Sequence, residues 1–431
     1  MAWYKTHEKT LTNGIVFELE QDLGSAPGSV AALPLLNNSR KIRFEQSTDF
    51  GLGVYSFSFD ATFVNIGNLR DIFYQTESAK IKLKIKDGST VIFYGFPQLS
   101  TLREMFTGTK TPFTVNFLDG IYRAQNVSVS RIGAGLSTFS SVETIVRTIC
   151  NVFGFHGNEL FIAHKWVVYD NDFATTWAPT AARPTQLTRV FANMVKWESQ
   201  NSKYMDVIKD LCYAFQLSIG YSYKAEAYTL IDMTEGRNLA YNSLIISGHV
   251  FPGSPNPPAL SVTSQEITNI GRKSYIDRNY GFGKISVQIL DRAANGEIEI
   301  TTDIGKNLQE FSYSIPFDTD LFYFEGNDGL GVDDGSFTSI CKYWRRTAAE
   351  SPVLLDALHN EIIGEIFGDD NFEIFIDTTA GLIDPILPFR LDISIDGLKW
   401  NFRAKEGEWD LVSKRTEKLK AFPIGVFISP P

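Results

Sequence analysis

The sequence predicts a mainly β protein with α+β insertions. The first observation is Lys80 to Pro97, KIKLKIKDGSTVIFYGFP, in which a strand period, a turn and a second strand follow one another. Ile81, Leu83 and Ile85 point one way in an extended chain, and Lys80, Lys82, Lys84 and Lys86 point the other. Asp87-Gly88 supplies the turn, and Val91 to Phe96 returns as a strand. The second observation is the 33 Phe and 17 Tyr, side chains that suit pleated, half-buried surfaces. The third is that helical periodicity is confined to a few windows between the strands.

The lysine row must meet solvent, carboxylates on a neighbouring strand, or an acidic partner. A solvated face is the simplest of these. Up to about Ser130 the chain reads as strands: Gly14 to Glu20, Lys41 to Glu45, the aromatic Val54 to Val64, the hairpin, and Phe113 to Phe117. A short helical piece is expected around Asn68 to Phe73. Together these predict one antiparallel barrel or sandwich.

The period changes at Leu136. Ser140 to Glu143 reads as a capping box with Ser140 as N-cap, and Val142, Ile145, Ile149 and Val152 recur at helical spacing before Gly154. A second helix begins near Ser202 and carries Met205, Ile208, Leu211, Cys212 and Phe215 on one face. Behind it LSIGYSYKAEAYTLID alternates around a Lys224-Ala225-Glu226 turn, predicting a hairpin over the helices. Four prolines between Gly248 and Val262 suggest a linker. Gly283 to Ile289 then reads as a strand, Ser351 to Phe367 as a helix with Pro352 in its first turn, and Phe372 to Ile376, Phe389 to Ile395, Lys399 to Ala404 and Glu408 to Val412 as closing strands.

A chain of 431 residues implies more than one core. A net charge of −10 argues against a general phosphate-seeking surface but suits a passage to which DNA does not stick. Cys150, Cys212 and Cys341 are odd in number and far apart, so free thiols and assembly in a reducing cytoplasm are expected. MAWYKTHEKT reads as a first strand and not as a signal peptide, and no run approaches the ~20 apolar residues of a membrane span.

Catalytic signals are weak. His7, His156, His164, His249 and His359 show no HxH or HExxH spacing, and there is no nucleophile elbow, so neither a metal site nor a catalytic residue is expected. Asn327 to Gly335 lacks the order of a calcium loop, and Gly281 and Gly283 precede a strand, which discards nucleotide binding; no cofactor is expected. Asp369, Asp370, Glu361 and Glu365 could pair for sugar cleavage, and Trp166, Trp177, Trp344 and Trp400 could stack on sugars, but exposed acids and core aromatics are the commoner roles.

The order of elements is itself informative. A barrel with a Lys-rich D-G hairpin, a capped helix ending in Gly, YMDVIKDLCYAFQLSIGYSYKAEAYTLID, a late amphipathic helix and FRLDISIDGLKWNFRAKEGEWDLVSKRTEKLKA resemble the tail hub (baseplate hub) proteins of tailed bacteriophages, most of all those of Bacteroidota phages and of contractile injection systems. The resemblance implies two tube-like antiparallel β-barrel domains plus small mixed domains. It divides the chain into a first barrel (1–132), a small α+β domain (133–247), a Pro-rich linker (248–264), a second barrel (265–305 and 385–431) and an inserted mixed domain (306–384) with a helix over 351–367.

The resemblance also implies a non-enzymatic homotrimer in the virion, at the tail tip, closing a six-fold tube around the DNA path. Partners would be the distal tail protein ring, the tail tube, the C-terminus of the tape-measure protein and tail-tip spike or fibre proteins. By analogy between the blocks, Lys80, Lys82, Lys84, Lys86, Lys284, Ser286 and Gln288 are the expected ring or tube interface. Two alternatives stand beside the hub: within the same structural class a distal tail protein, the hexameric collar, against which the implied duplication of barrels argues because a hexamer needs only one, and from a different class a glycan-binding or depolymerising tip protein. Asn307 to Phe337 matches nothing in the resemblance.

Overall fold

The structure is a computed structural model that describes residues 2–38, 40–46, 53–66, 69–77, 80–104, 111–153, 159–163, 190–214, 217–232, 243–250, 260–263, 265–278, 282–291, 296–303, 309–315, 322–324, 338–339, 343–344, 353–354, 372–392, 394–395 and 397–427. The protein is mainly β. The first block contains β1 (Ala2–Thr10), β2 (Ile15–Leu23), β3 (Ala31–Ala32), β4 (Lys41–Gln46), β5 (Gly53–Val64), α1 (Leu69–Gln75), β6 (Ile81–Asp87), β7 (Thr90–Glu104), β8 (Pro112–Leu118) and α2 (Gly120–Arg123). There follow β9 (Phe139–Ser141), α3 (Val142–Val152), β10 (Glu159–Ala163), β11 (Val190–Asn193), α4 (Met194–Ser199), α5 (Tyr204–Ala214), β12 (Leu217–Ser222), β13 (Ala227–Asp232), β14 (Ser243–Val250) and β15 (Leu260–Thr263).

The remainder comprises β16 (Gln265–Ile267), β17 (Tyr275–Asp277), β18 (Phe282–Asp291), β19 (Gly296–Asp303), β20 (Gln309–Ile315), β21 (Phe322–Phe324), β22 (Thr338–Ser339), β23 (Tyr343–Trp344), β24 (Val353–Leu354), β25 (Glu373–Thr378), β26 (Phe389–Leu391), β27 (Lys399–Asp410) and β28 (Arg415–Phe427).

The expected hairpin is β6–β7, and Gly88 takes φ +61° in its turn. Alternation places Phe57, Phe59, Ala61 and Phe63 of β5, Phe113, Val115 and Phe117 of β8, and Ile81, Leu83 and Ile85 of β6 in the core. α1 adds Leu69 and Phe73, and the Phe63 ring lies 5.8 Å from Phe73 and 5.5 Å from Phe113. Antiparallel pairing runs β1–β2–β6–β7–β8–β5–β4 and then crosses to β27. From β27 it continues through β28 and β25 to β17, and to β26, which pairs in parallel with β16. No ring of pairings closes among the described residues.

Several boundaries differ from the sequence reading. Glu373–Thr378, assigned to the inserted domain, pairs with β28. β18, assigned beside 385–431, pairs with β19 and β20 in a separate three-stranded sheet. Lys399 to Val412, expected as two strands, is one strand up to Asp410 that absorbs the irregular alternation in bulges near Ala404 and Glu406. The flanks of the expected linker pair with each other, β14 against β15, so its prolines fall between two partnered strands. Of the expected helix over 351–367, Val353–Leu354 instead pair as a short strand with Tyr343–Trp344, and the rest lies outside the described residues. Asn327 to Gly335, Asp369, Asp370, Glu361, Glu365, Trp166, Trp177, Cys341, His156, His164 and His359 also lie outside them.

α3 forms where its period predicts, but the cap is displaced by one residue. Ser141 Oγ accepts from Thr144 N at 3.2 Å and donates to Thr144 Oγ1 at 2.7 Å, while Ser140 Oγ bonds Ser137. Glu143 is thereby released from capping and turns inward to accept from Arg147 Nη1 at 2.9 Å. The hairpin β12–β13 also departs from alternation, because every residue of β12 is buried. One edge of β12 pairs in parallel with β5, and a Cβ on Gly220 would stand 2.2 Å from Ile386 Cδ1 and 2.8 Å from Tyr55 Cβ.

Three parts of the chain meet at the fully buried Trp409 on β27. Its indole lies 5.7 Å from Phe44 and 5.5 Å from Phe57 of the first block and 5.4 Å from Tyr223 of the β12–β13 turn, and its Nε1 donates to Ile383 O at 2.9 Å. Beside it, fully buried Asp384 accepts from Ser222 Oγ at 2.6 Å, Lys224 N at 3.2 Å and Ile386 N at 3.1 Å. Gln265 adds reciprocal bonds to the Asp384 main chain, at 2.7 and 2.9 Å. Burial raises the Asp384 carboxyl, opposed by these donors.

Trp409→Ala should cost about 3–5 kcal/mol in urea unfolding, as for other fully buried indoles. Burial raises Glu143 to about 7, with Arg147 pulling the other way. Its folded value exceeds its ordinary value, so its own contribution to stability should be most favourable at or below pH about 4.5 and fall as pH rises towards 7. Glu143→Gln should flatten that segment of a Tm against pH profile.

Candidate functional site

The lysine row does not face solvent. In the β2–β6 register Lys84 opposes Glu18, Lys82 opposes Glu20 and Leu19 opposes Leu83, so carboxylates and ammonium groups share one face while the core residues share the other. Lys82 Nζ lies 2.9 Å from Glu20, Lys86 Nζ lies 2.8 Å from Glu18, and Lys84 lies 3.5 Å from Glu20 and 3.9 Å from Glu18. Lys5 on β1 pairs with Glu8 and reaches Glu18 at 3.4 Å. Aromatic rings close over the ladder: Lys82 Nζ is 4.3 Å from the Trp3 centroid and 5.3 Å from that of Tyr94.

Lys82 is consequently only 6% exposed, which corrects the expectation of a wet face. Burial would raise the Glu20 carboxyl, but Lys82 and Lys84 outweigh it and hold it below its ordinary range; burial pulls the Lys82 ammonium down against Glu20. Lys80, at the strand's start, pairs with Glu77 at 3.4 Å and remains 41% exposed along its side chain.

Lys284, Ser286 and Gln288 occupy alternate positions of the central strand β18. Their register neighbours are Asp303, Thr301 and Glu299 on β19 and Glu310, Ser312 and Ser314 on β20. β6 and β18 therefore belong to different sheets, and no described pairing brings the two expected patches together.

A second charged face, missed in the sequence, is created where β4 crosses to β27. Arg43 stands opposite Glu408 and Lys41 opposite Asp410 in register. Glu408 gathers Lys41 at 2.9 Å, Lys418 at 3.3 Å and Arg43 at 3.6 Å, while Lys41 also reaches Glu417 at 2.8 Å. Arg43 extends the chain of charges to Asp60 at 3.7 Å, and Lys420 pairs with Glu406 at 2.5 Å. Burial raises the Glu408 carboxyl, but Lys41 and Lys418 prevail and it titrates below its ordinary range. The alternation of KIRFE marks one polar face of β4, but the partner lies some 360 residues further along and carries no local signal.

Neither face presents nucleophile and base geometry. Trp400, weighed as a sugar platform, is buried edge-on against Phe372 at 5.2 Å. Both arrangements match charge against charge across neighbouring strands; the β2–β6 ladder does so largely out of water and the β4–β27 face in contact with it.

Lys82→Met alone should cost about 1.5–3 kcal/mol in urea unfolding by leaving Glu20 only the longer contact to Lys84, and the pair Lys82→Met with Glu20→Leu should recover most of it. Because the Glu20 carboxyl is depressed, its contribution is present above its ordinary value of 4.5 and should fade as pH falls through its lower folded value, a loss absent from Glu20→Leu.

No family model matches the chain, and no curated protein does. Among solved structures it is similar to the 43 kDa tail protein of prophage MuSo2 from Shewanella oneidensis, with 10% identity, TM-score 0.41, and coverage of 90% of this chain and 93% of that one. It is similar also to a tail protein from Neisseria meningitidis MC58, with 8% identity, TM-score 0.42, and coverage of 89% and 92%. A third is a prophage tail protein from Listeria monocytogenes EGD-e, with 8% identity, TM-score 0.41, and coverage of 94% and 90%. At such values no residue role passes from those proteins to this one.

Proposed function

We propose that the chain is a structural, non-enzymatic hub subunit of a phage tail tip or baseplate, working as a homotrimer that closes a six-fold tube and surrounds the DNA path. The observation that carries the reading is the β4–β27 crossing, which joins two β-rich blocks into one wall with a charge-balanced face. On that face Lys41, Arg43, Lys418 and Lys420 meet Asp60, Glu406, Glu408 and Glu417. With Glu45 beside Glu406 in register, the carboxylates at least match the cations, giving a hydrated surface with no positive surplus to retain phosphate, which suits a passage more than a binding groove. The order of elements in the sequence, which resembles tail hubs, supports the same reading.

In this assembly Lys80 and the β18 positions Lys284, Ser286 and Gln288 serve as ring contacts. Lys82, Lys84 and Lys86 act from within, bracing the strand that carries Lys80. The distal tail ring, the tail tube, the tape-measure C-terminus and a spike or fibre protein are the proposed neighbours in the virion.

Native mass spectrometry of the purified chain, together with symmetry in images of assembled tips, should give a three-fold ring. A hexamer would transfer the protein to the collar position. A monomer that releases reducing sugar from a host glycan would replace the hub by a depolymerase.

A further inference from the structure

An open cleft of about 420 Å³ lies just beyond the Lys41–Asp410 end of the β4–β27 face, between the β1–β2 turn, Leu35 to Asn37 with Arg40, and the β27–β28 turn. Its volume falls in the range of about 300–1,000 Å³ common for small-ligand sites. The turns around it are firmly built. Asn13 Nδ2 donates to Leu411 O at 2.6 Å and Val412 O at 2.9 Å, and Asp410 Oδ1 accepts from Val412 N at 2.9 Å.

The lining has a definite chemistry. Lys9 and Arg40 supply two cations, Leu11, Leu36 and Val412 supply apolar surface, and none of the described lining residues is acidic. Val412 is 51% exposed, so the apolar part is open to a ligand. Neither cation is fully engaged. The Lys9 ammonium donates to Leu35 O and has no carboxylate within ion-pair distance among the described residues. The Arg40 guanidinium meets Asp410 through Nε at 3.8 Å, beyond hydrogen-bond distance, which leaves it donors to offer. In a chain of net charge −10, two under-used cations beside an apolar floor are a local inversion of the general surface.

We infer that this cleft binds a carboxylate attached to a short apolar segment, with Lys9 and Arg40 holding the anion and Leu11, Leu36 and Val412 holding the hydrocarbon. The free C-terminus of a partner chain ending in apolar residues has this chemistry. The inference does not depend on the ring architecture.

The probe is N-acetyl-Leu-Leu with a free carboxylate, titrated into the full chain at low salt and followed by calorimetry, with the carboxamide form as the matched control. The acid should bind saturably with Kd near or below about 1 mM, and the amide at least tenfold more weakly. Added salt should weaken the acid, since the anion meets partly exposed cations. Lys9→Met and Arg40→Gln should each reduce affinity for the acid at least tenfold. Thr12→Trp, which fills the cleft and keeps both cations, should do the same and carries the test if a cation variant fails to fold. Equal binding of acid and amide, no saturation up to about 10 mM acid, or equally effective displacement by inorganic phosphate would each overturn the inference.

Discussion

The interaction on which the rest depends is the burial of Trp409 between parts of the chain remote from one another in sequence. Its ring touches Phe44 and Phe57 from the first block and Tyr223 from the insertion, while its N–H is bound to Ile383 O. An indole satisfies this position because it offers a large apolar area and one donor, and both are used. Next to it, Asp384 collects donors from the β12–β13 hairpin and from its own loop, and the fully buried Tyr55 donates to Ala404 O at 2.6 Å. Buried polar groups of this kind are costly when mismatched and therefore select one arrangement of the segments.

The two charged faces apply one electrostatic rule in different surroundings. On β1, β2 and β6 the pairs are withdrawn from water beneath Trp3 and Tyr94, where Coulomb attraction is strong and the desolvation cost is high, so each charge needs its partner. On β4, β27 and β28 Arg43 and Lys418 are well exposed, and individual pairs there contribute little to stability. Their value lies in the character of the surface, which is hydrated and nearly neutral. The first face braces and the second is fit to be seen by a neighbour or by solvent.

What was legible in the sequence was whatever has a local period. Asp87-Gly88 and the alternating rows around it specify β6–β7, and α3 and α5 follow their apolar spacing. Local period also misled. Ser140 and Ser141 are both competent caps, and which one serves depends on where β9 pairs with β11. Lysines on alternate residues look solvated until Glu18 and Glu20 arrive opposite them. The face around Glu408 and the cleft beside Val412 each need segments hundreds of residues apart, and no window of sequence contains both. For the candidate site, the residue types on β6 were readable and their partners were not.

The β4–β27 crossing also has a consequence for biogenesis. Until residue 406 has been made, the strand centred on Arg43 has one edge with its main-chain groups unmatched, because that edge pairs with Glu406 to Asp410. At the usual pace of about 5–20 residues per second, the interval between synthesis of Glu45 and of Glu406 is roughly 20–70 s. During that interval the nascent first block carries an open template for other chains, several of which would be growing side by side on one message. The charges on β4, Lys41, Arg43 and Glu45, then have a second use: alternate charged side chains discourage a like strand from docking on the waiting edge. The residues that later form the ion network would first act as its guard.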